Sequence, residues 1–142
     1  MATADTDRSG LEVLDQAECL RLLALATLGR VAVSTKALPM VMPVSYRLVN
    51  EQIVFRTRRD THLGLGTHNS VVAFEVDDID PDHHTGWSVV VTGIASELRD
   101  PQMADALDAI ALPEWSREDE TRVVAIAVSM ISGRRTQQRS EP

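Results

Sequence analysis

The chain has 142 residues, 44% of them hydrophobic, with a formal net charge of -7 and a pI near 5.0. That length makes one domain with room for a real core; no apolar run approaches the ~20 residues of a membrane-spanning helix, and the polar, acidic start MATADTDRSG lacks the apolar stretch of a secretory signal. The acidic balance argues against nonspecific binding to nucleic acid or anionic membrane, and the single cysteine, Cys19, excludes an internal disulfide and a Cys-rich zinc site; a soluble, cytoplasmic protein is expected.

Residues 1–10 lack periodicity and are expected to be a disordered tail, with one domain over 11–135 and a second tail over 136–142. Asp15, with Glu18 three residues on, predicts a helix start. Leu20, Leu23, Ala24, Thr27 and Leu28 follow helical spacing, and Gly29 supplies the stop. Cys19 reads as a small buried hydrophobe on this helix. The pattern then changes. Arg30–Thr35 alternates and is rich in β-branched residues, Lys36–Pro39 is a turn, and Met40–Val49 is a longer strand. Pro43 inside it cannot donate to a ladder, so it marks an edge, a bulge or a place where a ligand replaces the neighbouring strand. Asn50-Glu51 is a hairpin turn and Gln52–Thr57 a third strand. Asp60–Asn69 reads as a helical turn capped by Asp60 or Thr61. Val71–Ile79 and Trp87–Leu98 are strands, the second with Gly93 permitting a bend or bulge. Pro101–Leu112 is a helix with proline at its start, 113–120 a loop, Arg122–Ile131 a sixth strand, and Gly133–Pro142 an arginine-rich tail. Strands at hairpin spacing pair antiparallel. Six of them with a few short helices predict a mainly β protein, a small closed β-barrel.

The functional signal lies between Ile53 and Asn69. Arg56, Thr57, Arg58, Arg59, Thr61 and His62 crowd positions 56–62 of an acidic chain. Guanidinium and hydroxyl donors at this density suit an anion, most economically a phosphate; the alternative is a solvated strand end. On a strand, Arg56 and Arg58 share a face. Elsewhere the chemistry is sparse. His83 and His84 point to opposite sides of an extended chain, so with Asp78, Asp80 and Asp82 they read as a solvated acidic loop, and no metal is expected. Trp115 reads as a packing residue, and Glu75 and Asp77 share one strand face. No nucleophile sits beside a base, so no catalytic residue is assigned.

Four segments resemble the FMN-binding split β-barrel superfamily named after pyridoxamine 5'-phosphate oxidase. They are Pro43-Val44-Ser45-Tyr46; Ile53–Thr57 followed by Thr61-His62-Leu63; Asn69–Val76, which contains Glu75; and Trp87–Ala95, which opens Trp87-Ser88-Val89. The resemblance implies a six-stranded antiparallel split barrel that works as a homodimer, with two FMN molecules in grooves at the interface. It maps the phosphate onto Arg56, Thr57, Thr61 and His62, with Leu63 beside them. The flavin ring maps along Pro43, Val44, Ser45 and Tyr46, and Trp87, Ser88 and Val89 approach it, in some members from the other subunit. Glu75 is counted with the cofactor site. The resemblance implies an FMN- or deazaflavin-dependent oxidoreductase, with a non-catalytic flavin- or haem-binding module or a cofactor-less dimeric module as the alternatives. Many relatives carry Lys or Arg where this chain has His62. A neutral imidazole has one donor where an ammonium has three, and Arg58 or Arg59 can supply the missing charge.

Overall fold

The structure, a computed structural model, describes residues 5–58, 61–98 and 121–137. The expected helix over 101–112, the loop over 113–120 with Trp115, Arg59 and the side chain of His62 lie outside the described residues.

Helix α1 (Gln16–Leu25) begins as its sequence directs, with the Asp15 carboxylate accepting from the Glu18 N–H at 2.8 Å. Its buried face is Cys19, Leu22 and Leu23 rather than the stripe through Leu20, Ala24, Thr27 and Leu28. The helix ends earlier than expected because Ala26 is extended and Leu28 has a better use, pairing with Ser45 at the start of β2 (Leu28–Thr35). β3 (Leu38–Val49) and β4 (Gln52–Arg58) follow through two tight hairpins. Lys36, Ala37, Asn50 and Glu51 all have positive φ, the twist that two-residue hairpin loops require. After the short helix α2 (His62–Gly66) come β5 (Ser70–Asp80), β6 (Thr85–Glu97), β7 (Thr121–Ala127) and β8 (Met130–Arg135). A small strand β1 (Glu12–Val13) precedes α1.

Among the described residues the strands pair antiparallel, in the order β1-β8-β6-β5-β2-β3-β4-β7, and β7 returns to β6. That last pairing closes six strands, β2 to β7, into the expected barrel, while β8 and β1 extend the sheet beyond it. The strands alternate, and their inward residues fill the barrel; Val31, Phe55, Phe74, Val91 and Ile126 have no exposed surface. Tyr46 stands edge-on to Phe74 at 4.8 Å, and its hydroxyl donates to the Leu23 carbonyl at 2.6 Å, which fastens α1 to the barrel. Burial pushes that phenol up to about 12.

The expected sixth strand is two. Thr92 faces Met130 but Ala95 faces Ile126, so three steps along β6 answer to four on the opposing chain. The extra residue is a β-bulge opposite Gly93. It lets β7 turn away to pair with β4, while β8 continues past Ile131 into the expected basic tail and pairs with β1. The N-terminal segment is also held from Asp5 onward: the Val13 N–H donates to the Asp5 carbonyl at 2.7 Å, and Asp7 accepts from Arg134 at 3.0 Å. Cys19 is buried, and burial is the main reason its thiol is pushed up. Among the described residues, no helix is long and apolar enough to cross a membrane, and no group of His, Cys, Asp or Glu is placed to hold a metal ion.

Candidate functional site

Among the described residues, the barrel wall opens between β3 and β4. β3 and β4 pair from Val49–Gln52 up to Tyr46–Phe55, and among the described residues their register stops there. Both strands continue. β3 runs back through Ser45, Val44 and Pro43, still paired with β2, and β4 runs on through Arg56, Thr57 and Arg58, still paired with β7. The two segments singled out in the sequence therefore flank one seam. Pro43 fits it: with no N–H to give, it lies on the part of β3 beyond the reach of β4. The Tyr46 N–H is turned the other way, donating to the Thr27 carbonyl at 3.0 Å. Alternation then aims the Ser45 backbone at the open edge.

At the far end of β4 the donors divide between two faces. Thr57 is buried on the inner side, whereas Arg56 and Arg58 are half-buried on the outer side, next to Val54. Thr57 and Thr61 hydroxyls lie 3.5 Å apart. The Thr61 hydroxyl caps α2, accepting from the Gly64 N–H at 3.0 Å and donating to the Arg58 carbonyl at 2.8 Å; one lone pair is left over. Leu63 is a core residue, and His62 is the first residue of α2. A buried side chain that the sequence reading passed over completes this corner. Arg122, whose Cα faces that of Thr57 across the β4–β7 ladder, reaches the Gly64 carbonyl, the Thr67 hydroxyl at 2.9 Å and His68 Nδ1 at 3.3 Å. Alternation held the signal, because Arg122 shares the inward face of its strand with Val124 and Ile126.

The remaining predicted residues are elsewhere. Val44 and Tyr46 side chains are in the core, so only their backbone borders the seam. Val89 is fully buried and paired on both edges, to Val76 and Gly133, which makes it part of the wall. Trp87 packs partly against the core and borders an open cavity of about 820 Å³, with Asp78, Asp80, Arg135 and Gln137. Ser88 lies opposite Asp77 and Arg134. β6 comes level with the β4 corner near Glu97, which faces Val124. Trp87 is ten residues before Glu97, roughly 33 Å of strand. Within one chain Trp87 and the β4 corner thus stand level with opposite ends of β6.

Glu75 lies beside the seam on the outer face, in the cross-strand row Pro43, Arg30, Glu75. Arg30 bridges Glu75 at 3.0 Å and Asp77 at 2.9 Å. Burial, then the hydrogen bond and charge of Asp77, push the Glu75 carboxyl up to about 6, against the opposing pull of Arg30. Between 4.5 and about 6 the folded chain thus holds this proton more tightly than the unfolded chain does, and the Glu75 contribution to stability falls as pH rises through that window. Glu75→Gln is expected to raise the melting temperature by a few degrees at pH 8 and to leave it unchanged at pH 4.5. Equal shifts at both pH values would remove Glu75 as the source. Exposure of the Arg30 partner to water keeps the effect small.

A closed barrel whose strands part along the β3–β4 seam is the split-barrel architecture. The sequence matches the family model described as pyridoxamine 5'-phosphate oxidase over residues 15–135, and the chain belongs to that family. It is 39% identical over 125 residues to the uncharacterized protein Rv0080 of Mycobacterium tuberculosis, spanning 84% of this chain and 82% of the relative. The solved FAD binding protein from Mycobacterium smegmatis is 31% identical, with a TM-score of 0.75 over 89% of this chain and 99% of its own. An FAD and heme binding protein from the same organism, at 15% identity and a TM-score of 0.72 over 90% of this chain and 74% of its own, shares the fold.

Proposed function

We propose that this protein is a homodimer that holds a phosphate-bearing flavin at the β3–β4 seam and acts as a flavin-dependent oxidoreductase. The observation that carries the reading is the seam itself, a run of β3 edge backbone facing a cationic strand end on an acidic chain. Pro43 and Ser45 present backbone polar groups to the ring edge. Arg56, Thr57, Thr61 and His62 take the phosphate, with Arg58 as further charge. The set fits the group chemically, with hydroxyl and guanidinium donors for the anion and peptide groups for the ring. A bound flavin supplies the hydride chemistry; these residues bind and orient it. FMN is the form expected, and the FAD binding by a 31% identical protein supports the flavin class.

Dimerisation follows from two features. The outer face of β3, β5, β6 and β8 exposes Val41, Val71, Val90, Ile94 and Met130, a patch of the kind that partners cover. Val41 is two residues before Pro43 on the same face. In addition, Trp87 stands at the far end of β6 from the β4 corner of its own chain, and a second copy can bring the partner subunit's Trp87 toward that corner.

Titrating the protein into FMN, FAD, riboflavin, a deazaflavin and haem, with fluorescence or absorbance as readout, tests the proposal. FMN or FAD fluorescence is expected to change, with riboflavin binding at least tenfold weaker. No response from any flavin would overturn the reading, and a haem response alone would assign the seam to haem. A second reading, binding without turnover, draws on the seam side chains Pro43, Ser45, Thr57 and Thr61, none of which is an acid or base near neutrality, and on Glu75 beside them being engaged by Arg30 at 3.0 Å. It predicts tight binding with no reduction of the bound flavin by any nicotinamide donor.

A further inference from the structure

We infer that Arg122 is a positioning residue for the phosphate end of this site; the inference rests on the flavin reading above. Arg122 is 6% exposed, whereas the other charged residues whose burial is described are half-buried or exposed. Its strand neighbours on the same face, Val124 and Ile126, are ordinary core residues. A leucine or methionine would fill that space without the desolvation that a guanidinium incurs, so the charge is retained for what its donors hold.

What they hold is the C-terminal half of α2. The last carbonyls of a helix have no partner within it. Here the Thr67 N–H turns back to Leu63 and Leu65, and the Thr67 hydroxyl donates to the Leu63 carbonyl at 2.7 Å. Arg122 supplies the other donors, to the Gly64 carbonyl and to Thr67 Oγ1 at 2.9 Å. It also donates to His68 Nδ1 at 3.3 Å, since guanidinium has no acceptor to offer. Gly64, Thr67 and His68 are thereby tied to β7. Thr61 caps the other end of the same turn, and Thr61 is 3.5 Å from Thr57, the residue opposite Arg122. The planar fork thus sets where the α2 corner stands against the end of β4. A lysine, with one point of attachment, can satisfy part of this set but not all of it.

The consequence is selective. Loosening α2 disturbs the phosphate corner and spares the β3 edge, where the ring binds. In Arg122→Gln, FMN affinity is expected to fall at least tenfold while riboflavin affinity changes less than threefold. Arg122→Lys should recover part of the FMN loss. Thermal melts and circular dichroism identify variants that keep the fold. A folded Arg122→Gln with the wild-type ratio of FMN to riboflavin affinity would overturn the inference. Should that variant fail to fold, Thr67→Val removes the hydroxyl acceptor at nearly constant volume. It should lower FMN affinity selectively to a smaller degree, and an unchanged ratio would again count against Arg122. If the wild-type protein binds FMN and riboflavin equally, or binds neither, the phosphate reading itself fails and takes this inference with it.

Discussion

Gly93→Ala is expected to be among the most damaging small substitutions in this chain. A Cβ at residue 93 would lie 1.7 Å from the Ala127 carbonyl oxygen and 2.9 Å from its carbon. Both are backbone atoms, and neither can swing aside as a side chain would. That carbonyl belongs to the end of β7, where the strand leaves β6 through the bulge and the Ser129 N–H donates to the same oxygen at 3.0 Å. Making room means moving β7, and with it the β6–β7 pairing that closes the barrel. The cost should exceed about 3 kcal/mol, a fall in melting temperature of roughly 10 °C or more for a domain of this size. The ordinary expectation has the opposite sign, because Gly→Ala at a compatible position stabilises by about 0.4–1 kcal/mol through the unfolded chain. A melting temperature equal to or above wild type would therefore refute the close approach of β7 to β6.

The strands and hairpins were legible because they are local. Alternation at Val31, Val33, Val72, Phe74 and Val76 needs no knowledge of the partner strand, and Asn50 tolerates the left-handed conformation its turn requires. Pro43 announced an edge, a bulge or a ligand gap because a missing N–H has the same meaning in any fold, and the end of the β3–β4 register at Tyr46 leaves it on an edge. The misses have non-local causes. Leu25 ends α1 because pairing of Leu28 with Ser45 outweighs one more helical turn, and nothing near Leu28 encodes Ser45. The sixth strand read as continuous because both halves lie along β6; the bulge exists so that each half can also serve a different neighbour, β4 or β1. The cluster at 56–62 was visible as composition, yet its division between two faces of β4 depends on where the strand ends and α2 begins. Arg122 was hidden as one more arginine, and only its inward register marks it.

On the proposed homodimer, Ile94→Glu should remove flavin binding without touching the β3–β4 seam. Ile94 faces Val71 across the β5–β6 ladder, and the two side chains are 54% and 67% exposed. In an isolated chain, a carboxylate at so exposed a position changes stability by no more than about 0.5 kcal/mol, so the melting temperature of a monomer would barely move. Across a dimer interface that covers this face, each carboxylate loses water without gaining a partner, and isologous symmetry places the defect in both subunits. The expected loss in dimer affinity is at least a hundredfold, read by sedimentation velocity. Flavin affinity should fall with it, because Trp87 lies roughly 33 Å of strand from the β4 corner of its own chain and the groove then has one wall. The coupling then runs both ways: added FMN should tighten the proposed dimer by the factor that dimerisation tightens FMN. An Ile94→Glu monomer that binds FMN as the wild-type protein does would place the whole cofactor site within a single chain and remove the reason for a second copy.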